Sequence, residues 1–304
     1  MNKALVLMNM GGARNKAELE LFLRNMFNDE NILTINNKFM RNMIASFITL
    51  SRINSAWENY EAIGGKSPIN DISDQLQKKL QDKLPETFVT QAMRYTPPLT
   101  QKAIRQIQEQ KIKEIVLLPL YPQYSTTTTK SSLDEFLNNC PEKFNCTIVD
   151  PFYKNQTFNQ CIINEIKSKH KKDTHLIFSA HGLPQKIVDN GDPYAQQVQE
   201  HVRILSSMLE QQSIDFDSVH LAYQSKVGPM KWLDPSLDSK LENFKDKNVL
   251  IYPISFIIDN SETDFELDIE YREIAQELGI KEYNVCKCVN DSDAFVDTIM
   301  ELIS

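Results

Sequence analysis

The chain has 304 residues, of which 41% are hydrophobic and 24% charged, the balance of a globular protein with a sizeable core. A formal net charge of −8 argues against nucleic acid as the main partner, because phosphate binding calls for a basic surface. Five cysteines, an odd number without secretory context, point to free thiols in a reducing compartment.

Apolar runs of strand length alternate with longer amphipathic stretches, the pattern of parallel sheets covered by helices. The opening stretch MNKALVLMNMGG has no cleavage region of the signal-peptide type. Its apolar run falls well short of the roughly 20 residues that span a bilayer, so it reads as a first strand, Ala4–Met10. Helical patterns follow at Lys16–Phe27, Lys38–Tyr60 and Asp71–Lys83, then a strand at Thr87–Met93 and a helix at Leu99–Gln110. Further strands are expected at Glu114–Leu120, Cys146–Val149, His175–Ser179, Ser218–Ala222 and Asn248–Ile254. Helices at Gln156–Lys167, Pro193–Gln211 and Asp291–Ile303 complete the pattern.

The turn-rich stretch Asn138–Asn155 suggests two α/β domains, 1–150 and 151–304, each doubly wound, with the final helix free to pack back on the first. The halves rhyme. LVLMNMGG and IVLLPLYPQYS in the first half resemble LIFSAHG and VLIYPISFIID in the second. An ancient duplication and two halves obeying the same packing rules explain this equally well.

In open parallel sheets, ligands bind beyond the carboxyl ends of the strands, and this sequence loads those ends with unusual residues. His181 follows the apolar run of HLIFSAHGLP, with Gly182 clearing space beside it. A lone histidine is by default a satisfied structural residue, yet at a strand's carboxyl end a neutral imidazole can bind a metal or accept a proton. After VLIYPISFII, Glu262, Glu266 and Glu270 recur every fourth residue, on a helix that Ser261 is placed to cap. A solvated helix face and an acidic rail for cations or protons are both open readings. YPQYSTTTTK carries a run of hydroxyl residues suited to helix capping or to an anion at a helix N-terminus. Met10, Met93, Tyr121, Trp232 and Phe256 at strand ends would together line an apolar-aromatic cleft for a large flat ligand, although each alone is more often core. There is no Walker A motif, no His-x-x-x-His pair and no nucleophile elbow.

Seven stretches in order resemble the ferrochelatases, which insert ferrous iron into protoporphyrin IX: LMNMGG, YEAIGGKSPI, MRYTPPLT, LPLYPQYSTTTTKSS, FSAHGLP with GDPY, YQSKVGPMKWL, and ISFIIDNSET through ELDIEYRE. The YPQYS segment resembles the protoporphyrin-using branch. The resemblance implies two similar doubly wound domains, with the porphyrin held and distorted in a cleft between them, and Fe²⁺ as a substrate. It implies that His181 is the active-site histidine and Glu262 the essential carboxylate across the macrocycle, with Glu266 and Glu270 continuing the acidic path. His181, Glu262, Glu266 and Glu270 are the implied metal-handling set. Met10, Arg52, Tyr60, Ser67, Arg94, Tyr124 and Trp232 match positions that contact the macrocycle or its propionates. Among the two central residues, His181 is favoured as proton acceptor and Glu262 as the ligand on the metal's side of the ring.

Three departures from the family pattern stand out. Asn260 occupies a place often held by histidine, Lys130 replaces a glycine, and Thr126 stands where cluster-bearing relatives have a cysteine. With no cysteine-bearing extension after residue 288, the expectation is an enzyme without an iron–sulfur cluster. A cobalt chelatase and a porphyrin carrier are the competing functions. YPQYS and YQSKVGP speak against the first, and three aligned glutamates against the second. The expected location is the cytoplasm, with peripheral contact at the inner face of the membrane through the apolar positions between 39 and 50, unless these are core.

Overall fold

The structure, a computed structural model, describes residues 1–226 and 228–304, so Val227 of YQSKVGP lies outside the described residues. It divides into two compact units: Met1–Tyr121 with Ser125–Asp150 and Asp291–Ser304, and Pro122–Tyr124 with Pro151–Asn290.

In the first unit, strands β1 (Lys3–Asn9), β2 (Thr87–Met93), β3 (Glu114–Pro119) and β4 (Asn145–Ile148) form a parallel sheet in the order β2-β1-β3-β4. From Ala4 to Met8, β1 is apolar and buried on both faces, as a central parallel strand must be. Its alternate residues Ala4, Val6 and Met8 pack with Ile104, Ile107 and Phe136 on one side of the sheet. Helices α1 (Lys16–Phe27), α2 (Lys38–Ala62), α3 (Ile69–Lys83), α4 (Thr100–Glu109) and α5 (Ser131–Asn139) cover the faces. Asn15 and Asn37 start α1 and α2 by accepting the amides of Glu18 and Met40, each satisfying a donor that the first helical turn leaves free. The chain's last helix belongs here too, with Lys79 held by Asp291 and Asp293, and Lys83 by Asp297.

α2 inverts the usual amphipathic rule. It buries Arg41, Ala45 and Thr49, with Arg41 donating to the carbonyls of Asn28 and Ile35. Phe39, Phe47 and Leu50 are 77%, 74% and 71% exposed. These positions are therefore not core.

The second unit repeats the plan. Helix α6 (Gln156–Lys169) leads into β5 (Thr174–His181), α7 (Gln185–Asp189) and α8 (Tyr194–Gln211). β6 (Ser218–Gln224), α9 (Leu237–Leu241), β7 (Asn248–Pro253), α10 (Tyr271–Glu277) and β8 (Glu282–Val285) follow, and the terminal helix of the first unit is α11 (Asp293–Leu302). The second sheet runs β6-β5-β7-β8, all parallel, so the two units share one strand order. Both are doubly wound α/β units of the flavodoxin-like order, whose switch point lies between the first and third strands.

The sequence pattern misses β8, the short helices α5, α7 and α9, and two π-helical stretches, Thr126–Lys130 and Glu262–Glu270. It also assigns Met93 and Tyr121 to a cleft, whereas both are buried.

Gly11 ends the turn after β1 with φ +85°, a left-handed conformation that disfavours side chains, and an added Cβ would lie 2.2 Å from Thr96 Oγ1. Gly11→Ala is therefore expected to destabilise the protein by about 1–3 kcal/mol. An unchanged urea midpoint would contradict this account of the turn.

Candidate active site

β5 and β7 bring two chain segments to the switch point of the second sheet. Phe178 and Ser179 pair with Tyr252 and Pro253, after which the two strands part. His181 is the last residue of β5. Gly182 behind it donates its N–H to the Gln224 carbonyl at 2.9 Å. Any side chain there would collide with that oxygen, since a Cβ would sit 2.7 Å away.

After β7 the chain turns through Ser255 and Asp259 into the segment that carries the three glutamates. Its start differs from the sequence expectation. Ser261 makes no capping hydrogen bond. Instead, Asn260 accepts the Glu262 N–H on its side-chain oxygen at 2.8 Å, and its own N–H donates to Thr263 Oγ1. The segment is then a π-helix over Glu262–Glu270. Bonds from i to i+5 widen each turn, so the every-fourth-residue ridge of an α-helix does not describe it.

Glu262 meets His181 directly. His181 Nδ1 donates to Glu262 Oε2 at 2.8 Å. The expectation set these two groups across a macrocycle; in this structure they touch, with no space for a ring between them. Because Nδ1 is engaged, Nε2 is the nitrogen left to meet a substrate. Ser225 Oγ is shared by Glu262 at 3.2 Å and Glu266 at 2.6 Å. Gln224 Nε2 lies 3.4 and 3.5 Å from the same two carboxylates, and Ser179 Oγ donates to Gln224 Oε1 at 2.7 Å.

These contacts set the charges. Burial disfavours the imidazolium, but the charge of Glu262, its hydrogen bond and the charge of Glu266 outweigh this and raise the His181 pKa. Burial likewise disfavours the Glu262 carboxylate, yet His181, Ser225 and Gln224 together hold its pKa below the ordinary value. The side chains of His181 and Glu262 keep 37% and 32% of their surface exposed, despite the protein atoms crowding them on most sides. Solvent on that open third screens the pair and keeps its contribution to stability modest. Glu266 is pushed up to about 7, first by burial and then by the charge of Glu262, with Glu270 adding to it. Glu270 itself is exposed, and its pKa is raised by burial of part of the side chain and by Glu273.

Trp232 lies beside this group. Its Cε3 would be 3.5 Å from a Cβ on Gly182, and its segment bridges to Pro184. Phe256 presents its ring edge-on to His181 at 6.4 Å. Tyr124 is anchored by its N–H, which donates to Gln197 Oε1 at 2.7 Å. Its neighbour Gln123 donates to the buried His201, whose other nitrogen meets Asn159. Burial holds His201 at about 3, so it is a neutral strut.

The remaining sequence-expected residues lie in the first unit. Arg94 is half-buried and already committed: it donates to Asp29 at 2.9 Å and, through Nε, to Ser131 at 2.8 Å. Asp29, 3% exposed, also accepts from Tyr95, Ser131 and the Asn31 amide. Burial opposes its ionisation, but the Ser131 bond, the Arg94 charge and the other donors hold its pKa below the usual range. Nothing in the sequence around Phe27–Asn31 singles out Asp29, because its partners come from two other segments. Tyr60 is buried and stacks on Trp57, Ser67 is buried against Gly12, Met10 is half-buried, and Arg52 is exposed on α2. Lys130 pairs with Asp134 one turn on. Ser179, Tyr194, Gln224, Ser225 and Ser255, which sequence reasoning left without roles, surround the His181–Glu262 pair. Among the described residues no group of three or more His, Cys, Asp or Glu side chains is arranged to hold a metal ion.

A family model described as ferrochelatase matches residues 2–304. A ferrochelatase of Nitratiruptor sp. is 53% identical over 307 residues, covering 99% of this chain and 98% of that one. A ferrochelatase of Sulfurimonas denitrificans is 47% identical over 312 residues, again covering 99% and 98%. Among solved structures, CbiX, described as a terminal enzyme of sirohaem biosynthesis, superimposes with a TM-score of 0.54 at 12% identity, covering 100% of this chain and 98% of that one. At that identity it speaks for the fold alone.

The raised Glu266 pKa has a signed consequence. The folded state favours its protonated form, so stability is lost as pH rises from the ordinary carboxyl value of 4.5 through about 7. Glu266→Gln cannot ionise. Its stability relative to the parent is expected to increase across that window and level off above it, measured by urea unfolding at a series of pH values. A difference independent of pH would show that Glu266 does not feel this environment.

Proposed function

Because the chain belongs to the ferrochelatase family, the enzymes that place iron in a porphyrin to make haem, we propose that its substrates are protoporphyrin IX and Fe²⁺, with His181 taking a pyrrole proton and Glu262 meeting the metal. The reaction releases two protons from the pyrrole nitrogens and requires iron to shed its waters. The observation that carries this reading is the His181–Glu262 hydrogen bond of 2.8 Å at the carboxyl ends of β5 and β7.

In that pair Nδ1 donates to the carboxylate, and Nε2 has no hydrogen-bond partner among the described residues, which suits it to accept a proton. Glu262 would stabilise the imidazolium so formed, as a carboxylate does for a catalytic histidine generally. The contacts to His181, Ser225 and Gln224 all fall on Glu262 Oε2, so Oε1 is the oxygen free to approach an incoming cation. Glu266, titrating near neutrality, is suited to take a proton onward towards the exposed Glu270.

Met10, Arg52, Tyr60, Ser67, Tyr124 and Trp232 are proposed as contacts of the macrocycle or its propionates. Arg94 belongs in that group only through the edge of its guanidinium not already given to Asp29 and Ser131. We further propose a cytoplasmic enzyme that touches the membrane surface through α2. Among the described residues no helix is long and apolar enough to cross a membrane, while the exposed Phe39, Met43, Phe47 and Leu50 form one apolar face.

His181→Ala and Glu262→Gln are each expected to lower turnover at least about 100-fold while leaving porphyrin binding in place. The assay is loss of porphyrin fluorescence on adding Fe²⁺ or Zn²⁺, and full activity in either variant removes that residue from the mechanism. Phe39→Ser/Phe47→Ser should lower co-sedimentation with vesicles of phosphatidylethanolamine and phosphatidylglycerol. Equal sedimentation of parent and variant would end the membrane proposal.

A further inference from the structure

His181 occupies a backbone position that the sheet itself does not complete. The β5–β7 pairing ends at Ser179 and Pro253, and the last bond between the two segments is the Ile254 N–H donating to the Ser179 carbonyl at 3.0 Å. Next along the chain, Gly182 donates towards β6, so by the alternation of a parallel strand both the N–H and the C=O of His181 point to the side where β7 has already turned away. Two orphaned backbone groups at a half-buried site would loosen the strand end.

They are not orphaned. The His181 N–H donates to Ser255 Oγ at 3.2 Å, Tyr194 Oη donates to the His181 carbonyl at 2.8 Å, and Ser255 Oγ lies 2.5 Å from Tyr194 Oη. Only one placement of the hydroxyl hydrogens satisfies all three contacts. The amide can only donate and the carbonyl only accept, so the Tyr194 hydrogen goes to the carbonyl and the Ser255 hydrogen points at Tyr194 Oη. The result is a closed ring of hydrogen bonds around one residue, supplied by the first residue of α8 and the turn after β7. Tyr194 is 6% exposed, which limits competition from water.

We propose that Tyr194 and Ser255 are positioning residues for His181: their hydroxyl ring replaces the missing strand partner and fixes the imidazole over Glu262. The proposal rests on the reading of His181 as the proton acceptor. Without the ring, the last residue of β5 gains backbone freedom, and Nε2 loses its aim at the reacting nitrogen.

The test compares Tyr194→Phe, Ser255→Ala, the double variant, Ser255→Thr and His181→Ala, using protoporphyrin with Fe²⁺ and full-length protein. Each single removal is expected to lower kcat about 10- to 100-fold, as misplacement of a catalytic group does, with the KM for porphyrin within about twofold of the parent. The double variant should fall no further than the weaker single, because the ring is already broken, and Ser255→Thr, which keeps the hydroxyl, should recover most of kcat. Parental kcat in the singles, losses that multiply in the double, or a kcat that falls only with the folded fraction seen in urea unfolding would each overturn the proposal. An active His181→Ala would overturn the reading beneath it, whereas an inactive His181→Ala beside fully active single variants would overturn the ring alone.

Discussion

A hydrogen bond of 2.8 Å between His181 and Glu262 is the constraint that the rest of the second unit serves. It joins the end of β5 to the segment beyond β7, two places 81 residues apart that meet only because the strands are neighbours in one parallel sheet. Such a bond tolerates errors of a few tenths of an ångström. Strand register, the bare Gly182 and the hydroxyls of Tyr194 and Ser255 all bear on that tolerance. The electrostatic outcome follows from the same geometry. Each partner shifts the other towards its charged form, and a second carboxylate, Glu266, is left near neutrality beside them.

The first unit depends on a different kind of pair. Asp29 is buried, and Arg94 crosses from the end of β2 to reach it, with Ser131 bonding to both. A buried ion pair is a poor source of net stability, because the charges must first leave water, but removing one partner strands the other. What this pair supplies is location. The loop after α1, the end of β2 and the start of α5 share a single carboxylate, so none can shift without breaking a charged hydrogen bond.

The glutamate segment shows how local chemistry and shape combine. Asn260, which cannot titrate, is used as a cap, and its oxygen takes the Glu262 amide. The π-helix that follows is wider than an α-helix, a form frequent at functional sites. Gln224 and Ser225, at the end of β6, reach the carboxylates of both Glu262 and Glu266 and so measure their separation.

Much of this was legible in the sequence. The central strands were, because burial on both faces of a parallel sheet demands unbroken apolar runs such as Ala4–Met8 and Leu176–Phe178. His181 and the glutamates stood out because polar residues directly after such runs fall at the carboxyl ends, where an α/β sheet binds its ligands. β8 was not legible, since four residues at a sheet edge with mixed burial carry no clear period. The direct pairing of His181 with Glu262, the π-helical turn, the ring through Tyr194 and Ser255, and the burial of Asp29 were decided by tertiary structure alone. Composition and periodicity report what one segment buries, whereas a hydrogen bond between segments depends on the distance and direction that only the packed sheet imposes.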